Sequence, residues 1–193
     1  AMSDDDCRRR VRVKNLDEVL SDLRGRDALL STAHFGCWEY DSFLALYTGE
    51  HYLAAVYHPL ENKVIDAVYM RLRRRRNIRL IPMKEIIRYY IDHRLPAGAP
   101  GQRIGIGLIA DQNPPLRPNS HWFRFLNQDT VFFDGIEKMA LKFHMPVYFC
   151  RQRRLRRGYY ELEFLRLYDG VEQVAPNEVT ERYVRQLESD IVA

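Results

Sequence analysis

Cysteine is scarce in this chain. Three occur in 193 residues, Cys7, Cys37 and Cys150, an odd number with no metal-ligand spacing. That excludes a disulfide framework and a paired-cysteine zinc module, and it points to a reducing compartment. Long apolar runs are missing as well: none approaches the roughly 18–20 residues needed to cross a bilayer, and no signal-peptide pattern is present. No repeat, low-complexity tract or long linker divides the sequence, so a single domain over 1–193 is expected. Gly-x-Ser-x-Gly and His-Glu-x-x-His are both absent, which disfavours a serine-hydrolase elbow and a zincin site. The remaining histidines lack ligand spacing, and neither a metal nor a bound cofactor is expected. "GIGLIA", Gly105–Ala110, matches a dinucleotide fingerprint on paper. Its glycines lie inside an apolar run rather than opening a helix, and Asp111 and two prolines follow, so that match is set aside.

What is present describes a folded domain, and its modest basic excess leaves phosphate, an acidic protein, an anionic membrane surface and nucleic acid all open as partners. At 46% hydrophobic and 12% aromatic residues the chain can bury a core, and 29% charged residues leave a net +4. Residues 1–14 are charged and read as irregular and poorly ordered. Helical periodicity predicts helices at 15–23 (with Asn15 as a possible cap), 38–47, 62–75, 84–93, 135–143 and 178–191. Apolar or alternating runs predict strands at 28–33, 51–57, 78–81, 103–110, 146–150 and 159–167. Three prolines keep 112–121 out of regular structure. Strands alternating with helices imply an α/β fold with a mainly parallel sheet flanked by helices. In such sheets the chemistry sits beyond the carboxyl ends of the strands.

"STAHFGCWEYDSF", Ser31–Phe43, places His34 at such an end. Gly36 permits a sharp turn, and Glu39 falls in the first helical turn, where a carboxylate suits the helix dipole. From there it reaches back toward His34. A carboxylate on one imidazole nitrogen fixes the tautomer and leaves the other nitrogen as a base, so that a substrate hydroxyl supplies the nucleophile. The plainer reading of the same residues is a satisfied strand-end histidine and a capping acid.

"HFGCWE" resembles the His, four residues, Glu signature of the glycerolipid acyltransferase superfamily, and most closely that of bacterial lipid A late acyltransferases, the lauroyl and myristoyl transferases. Further stretches are similar to that family in the same order: "VYHPLEN" (56–62), "ADQNPP" (110–115), "FLNQDT" (125–130) with Gly135 and "MALK" (139–142), and "PVYFCRQRRLRRGYY" (146–160). The resemblance implies a glycerolipid-acyltransferase-like fold and transfer of an acyl chain from a thioester to a hydroxyl of a membrane lipid such as a lipid A precursor. The donor would be acyl carrier protein or coenzyme A, with no other cofactor. His34 would be the base and Glu39 its orienter. Gly36, His58, Asn62, Asp111, Gln112, Thr130 and Gly135 would contact substrate, and backbone N–H groups near Gly36 or a nearby cation would meet the oxyanion. The family has Asn at Cys37 and Arg at His58. The second change removes a fixed positive charge that histidine replaces only when protonated. The family's N-terminal membrane helix and C-terminal Trp and His-Arg segment have no counterpart here. An excised portion of a longer protein, working at the cytoplasmic face of the inner membrane, is expected.

Two basic clusters stand out, Arg71–Arg79 and Arg151–Gly158. Arg71, Arg73, Arg74, Arg75, Arg76, Arg151, Arg153 and Arg154 read either as a solvated helix face and turn or as a surface for anionic headgroups or an acidic carrier. No nucleic-acid motif accompanies them, and no nucleic acid is expected. A non-catalytic basic module binding membrane or nucleic acid is the alternative function. "SHWFRFL", Ser120–Leu126, reads as core packing or as the lining of an acyl groove.

Overall fold

Ala28–Thr32 (β2) and Arg103–Ile109 (β5) are short apolar runs, the pattern of strands covered on both faces. They form the centre of the sheet in the structure, a computed structural model that describes residues 3–47, 49, 51–73 and 78–193. The other strands are β1 (Val11–Val13), β3 (His51–Tyr57), β4 (Ile78–Pro82), β8 (Val147–Arg156) and β9 (Tyr159–Tyr168). Together they make one seven-stranded sheet in the order β1-β9-β8-β2-β5-β3-β4. Every pairing is parallel except the β8–β9 hairpin. This is the expected α/β fold with a mainly parallel sheet.

Alternate residues of each strand feed opposite cores, as the period of two requires. Leu29, Ile104, Ile106, Val147 and Phe149 face a core completed by α4 (Ile86–His93), α5 (Gly135–Phe143) and α6 (Glu178–Val192). Ala28, Leu30, Tyr148, Cys150 and Leu162 face the other core, with α1 (Asp4–Arg10), α2 (Leu16–Asp22) and a 3₁₀ segment at Trp38–Leu46. The glycines of "GIGLIA" lie inside β5. A Cβ on Gly105 would come 3.0 Å from Leu53, so glycine there lets the neighbouring strand's side chain close in.

Four local expectations are corrected. Residues 3–14 are not irregular: Ser3 and Asp6 form a capping box that starts α1, Cys7 and Val11 are fully buried, and β1 pairs with β9. Asn15 occupies the cap position of α2 but spends its amide on the backbone of Phe164, donating at 2.8 Å and accepting at 3.0 Å. The 38–47 helix is wound as 3₁₀, with Tyr40 N–H donating to Cys37 O and Tyr47 N–H to Leu44 O. Three residues per turn bring Tyr40, Phe43 and Leu46 onto the core together. The arginines of 151–156 extend β8 instead of forming a turn, because β9 alternates acidic and apolar residues opposite them. A hairpin of β6 (Trp122–Phe125) and β7 (Gln128–Val131) also forms, turning on Leu126 and Asn127 at φ of 46° and 63°.

The start of α6 is capped from outside the helix. Asn177 is left-handed and offers no side-chain cap. Buried Glu137 of α5 accepts instead from Asn177 N–H (2.6 Å), Thr180 N–H (2.8 Å) and Thr180 Oγ1–H (2.8 Å). Truncating it leaves three donors without a carboxylate. Glu137→Ala is expected to cost about 2–4 kcal/mol in urea unfolding, with Glu137→Gln losing less.

Candidate active site

The register of two adjacent strands assembles the site. β2 and β5 run parallel from Ala28↔Gly105 to Thr32↔Ile109. Two residues further on, past the carboxyl end of each strand, His34 comes opposite Asp111. Asp111 Oδ2 accepts the His34 backbone N–H at 2.8 Å, and Oδ1 lies 2.8 Å from His34 Nδ1. With Asp111 ionised, Nδ1 carries the proton and Nε2 presents its lone pair. The ring packs edge-on against Trp38, with centroids 5.0 Å apart, and its side chain is 36% exposed. The nitrogen that would act as a base therefore belongs to a ring that solvent reaches.

Glu39 makes a different contact from the expected one. Its carboxylate accepts from Arg73 at 2.5 Å, and among the described residues no hydrogen bond joins it to His34. The Arg73 guanidinium also lies over the rings of Trp38 (5.1 Å) and Tyr69 (5.2 Å). Two physical reasons account for this. Strand register has already filled Nδ1 with Asp111, and a fixed guanidinium outcompetes a neutral imidazole for a carboxylate. Glu39 is one layer removed from His34, through Arg73 and Trp38.

The turn between them is bracketed from β8. Gly36 has φ +66°, and a Cβ there would fall 2.5 Å from Gln152 Oε1. That oxygen accepts the Cys37 N–H in a short hydrogen bond, while Gln152 Nε2 donates to Cys37 O (3.1 Å) and Asp41 Oδ1 (3.4 Å). Asp41 Oδ2 accepts from Thr32 Oγ1 at 2.8 Å. Burial pushes the Asp41 carboxyl up to about 7, partly offset by the Thr32 and Gln152 hydrogen bonds. The Tyr183 hydroxyl donates to Thr32 O at 2.9 Å and anchors the strand end from α6. Gln152, Asp41 and Trp38 were not singled out from the sequence. The available signal was Gln152 itself, the one amide in an arginine run.

His34, Gly36 and Asp111 therefore converge on one edge of the sheet. His58, exposed just past β3, places Nδ1 3.0 Å from Pro59 O, and Gln112 is exposed beside Asp111. Asn62 Oδ1 accepts from Val64 N–H (3.0 Å) and Ile65 N–H (3.2 Å), which caps α3 (Lys63–Arg73). Thr130 lies in β7 opposite Phe123, and Gly135 opens α5. His121 and Phe123 line a cleft of about 130 Å³ with Pro114, Pro115 and Phe132, although Phe123 is itself buried in the core.

Of the eight arginines singled out in the two clusters, three make ion pairs within the chain among the described residues. Besides Arg73, Arg151 bonds Asp190 at 2.9 Å and Arg153 bonds Glu161 at 2.7 Å. Arg71 and Arg154 are exposed, and Arg74, Arg75 and Arg76 lie outside the described residues. Among the described residues no three His, Cys, Asp or Glu side chains group to hold a metal, and no helix is long and apolar enough to cross a membrane.

The family model for bacterial lipid A biosynthesis acyltransferase matches residues 1–193, the whole chain. No curated protein matches it at a significant level.

The Asp41 carboxyl carries a pH dependence of known sign. Its folded value of about 7 lies above the ordinary 3.8. The folded state therefore holds a proton that the unfolded state releases. Stability from this group is fully present below pH 4 and declines as pH rises to about 7. Asp41→Asn is expected to flatten that decline and to leave the protein more stable than the parent at pH 8, on the order of a kcal/mol or more. Urea unfolding at pH 4.5 and pH 8 measures both.

Proposed function

The chain belongs to the bacterial lipid A biosynthesis acyltransferase family, and from that membership we propose how the His34 corner transfers an acyl group. The enzyme is an acyltransferase with an acyl donor and a lipid acceptor. In our reading the donor is a thioester, carried by acyl carrier protein or coenzyme A. The acceptor is a hydroxyl on a membrane lipid such as a lipid A precursor. The acceptor oxygen attacks the thioester carbonyl while His34 Nε2 removes its proton. The tetrahedral intermediate then collapses, the C–S bond breaks, and the imidazolium returns the proton to the departing sulfur. Ester and thiol are the products.

The observation that carries this reading is the two-point grip of Asp111 on His34, which orients the ring and points Nε2 away from its partner. Asp111 takes the orienting role, sets the tautomer and stabilises the imidazolium. Glu39 acts as a positioning residue: with Arg73 it backs the Trp38 ring against which His34 packs. For the oxyanion we assign the Gly36 N–H, since the His34 and Cys37 N–H groups are already engaged. His58 and Gln112, exposed at the same sheet edge, are our candidates for acceptor contacts. The placement of the whole protein at the cytoplasmic face of the inner membrane belongs to the same proposal. Internal pairing of Arg73, Arg151 and Arg153 weighs against a purely basic binding module, because those charges are already neutralised.

Thiol release from an acyl thioester in the presence of a detergent-dispersed lipid A precursor tests the assignment. His34→Ala is expected to lower kcat by about 10²–10⁴. Asp111→Asn should reduce kcat more than Glu39→Gln does, with KM little changed in both. Full turnover by a folded His34→Ala protein would overturn the proposal. A larger loss in Glu39→Gln than in Asp111→Asn would return the orienting role to Glu39.

A further inference from the structure

Helix α3 is built inside out. Amphipathic helices of a folded domain turn their apolar stripe to the core, as α4 does by burying Ile86 and Tyr90. On α3 the described side chains turned inward are Asp66, Met70 and Arg73, at i, i+4 and i+7. The apolar ones face out: Val64 is 75% exposed, Ile65 48%, Val68 54% and Tyr69 45%. Leu60, just before the helix, adds a further exposed apolar side chain. Among the described side chains of α3, none joins either core. The helix is held by polar bonds instead, Asp66 Oδ1 accepting from Leu60 N–H at 2.9 Å and Arg73 bonding Glu39. Its outer stripe is therefore an unpartnered apolar surface, not a displaced core face.

Two further features say what covers it. The exposed charges within the helix, Lys63 and Arg71, are both cationic, and Glu61 just before it is the one exposed acid beside them. An apolar stripe bounded by cations fits a layer that is hydrocarbon below and anionic at its surface. The stripe also leads to the reacting group by direct contact: Tyr69 lies under Arg73, Arg73 over Trp38, and Trp38 against His34. A second copy of this chain fits poorly. Four side chains on one helix fall short of the roughly 1,200–2,000 Å² of a stable interface.

We propose that α3 is the membrane-docking element, lying in the headgroup boundary of an anionic phospholipid bilayer with Val64, Ile65, Val68 and Tyr69 inserted. The carboxyl-terminal end of the helix then holds the His34 corner at the bilayer surface, where an acceptor lipid's hydroxyl meets it. This last point rests on the acyltransferase reading, while the docking itself does not.

The test is co-sedimentation of the protein with vesicles of phosphatidylglycerol and phosphatidylethanolamine, compared with phosphatidylcholine vesicles. The double variant Val64→Glu/Val68→Glu is expected to lose binding to the anionic vesicles about tenfold or more. It should keep its circular-dichroism spectrum and its turnover of detergent-dispersed acceptor. Ile87→Glu, on α4 and the opposite face of the sheet, should bind as the parent does. The proposal is overturned if the parent ignores anionic vesicles, if the double variant binds them like the parent, or if the parent is a dimer that the double variant makes monomeric. Vesicle binding lost in the double variant, together with a parent that releases no thiol, would sustain the docking and defeat the catalytic reading.

Discussion

The grip of Asp111 on His34 is the interaction on which the functional architecture depends. It is a consequence of parallel pairing: two strands that match residue for residue from Ala28 to Thr32 and from Gly105 to Ile109 deliver their next polar residues to the same level. The carboxylate binds both the backbone and the ring of one residue, so it fixes ring position and tautomer together. A one-residue slip of β5 would turn Asp111 to the other face of the sheet and leave His34 Nδ1 to water.

Around that pair the chain accepts local costs. Gly36 takes a positive φ, and the Gln152 amide occupies the space a side chain there would need. Gln152 is buried near Asp41, whose carboxyl is costly to ionise there. Together they tie the strand end at Thr32, the turn at Cys37 and β8 into one polar bracket. Such a bracket holds a turn more rigidly than backbone preference would, and rigid placement is what the base we propose at this strand end requires. Glu39 and Arg73 extend the same support outward, joining the turn to α3.

That last connection links chemistry to surface. The helix that presents its apolar side to solvent also supplies the guanidinium behind Trp38. The docking and the catalysis we propose would thus share a short path of side chains. For an enzyme whose acceptor is a lipid, this arrangement reduces the distance over which a hydrophobic substrate must leave its bilayer.

The sequence alone determined the elements whose patterns are local. Strands β2, β3 and β5, helices α5 and α6 and the α/β alternation follow from apolar period and turn residues within a few positions. His34, Gly36 and Asp111 were recognisable as strand-end residues of one edge. The amino-terminal helix was equally local, written in Ser3, Asp6 and the acid-to-base gradient of 4–10, but the density of charge obscured it. Tertiary structure alone decided which carboxylate meets His34, because Glu39 is five residues away along the chain and Asp111 is 77. Proximity in sequence favoured the former, and strand register delivered the latter. The same holds for Gln152 beneath Gly36, for the arginines drawn into β8 by the acids of β9, and for the outward turn of α3. Periodicity shows that a helix has an apolar side, while only the packing of the rest of the chain decides which way that side faces.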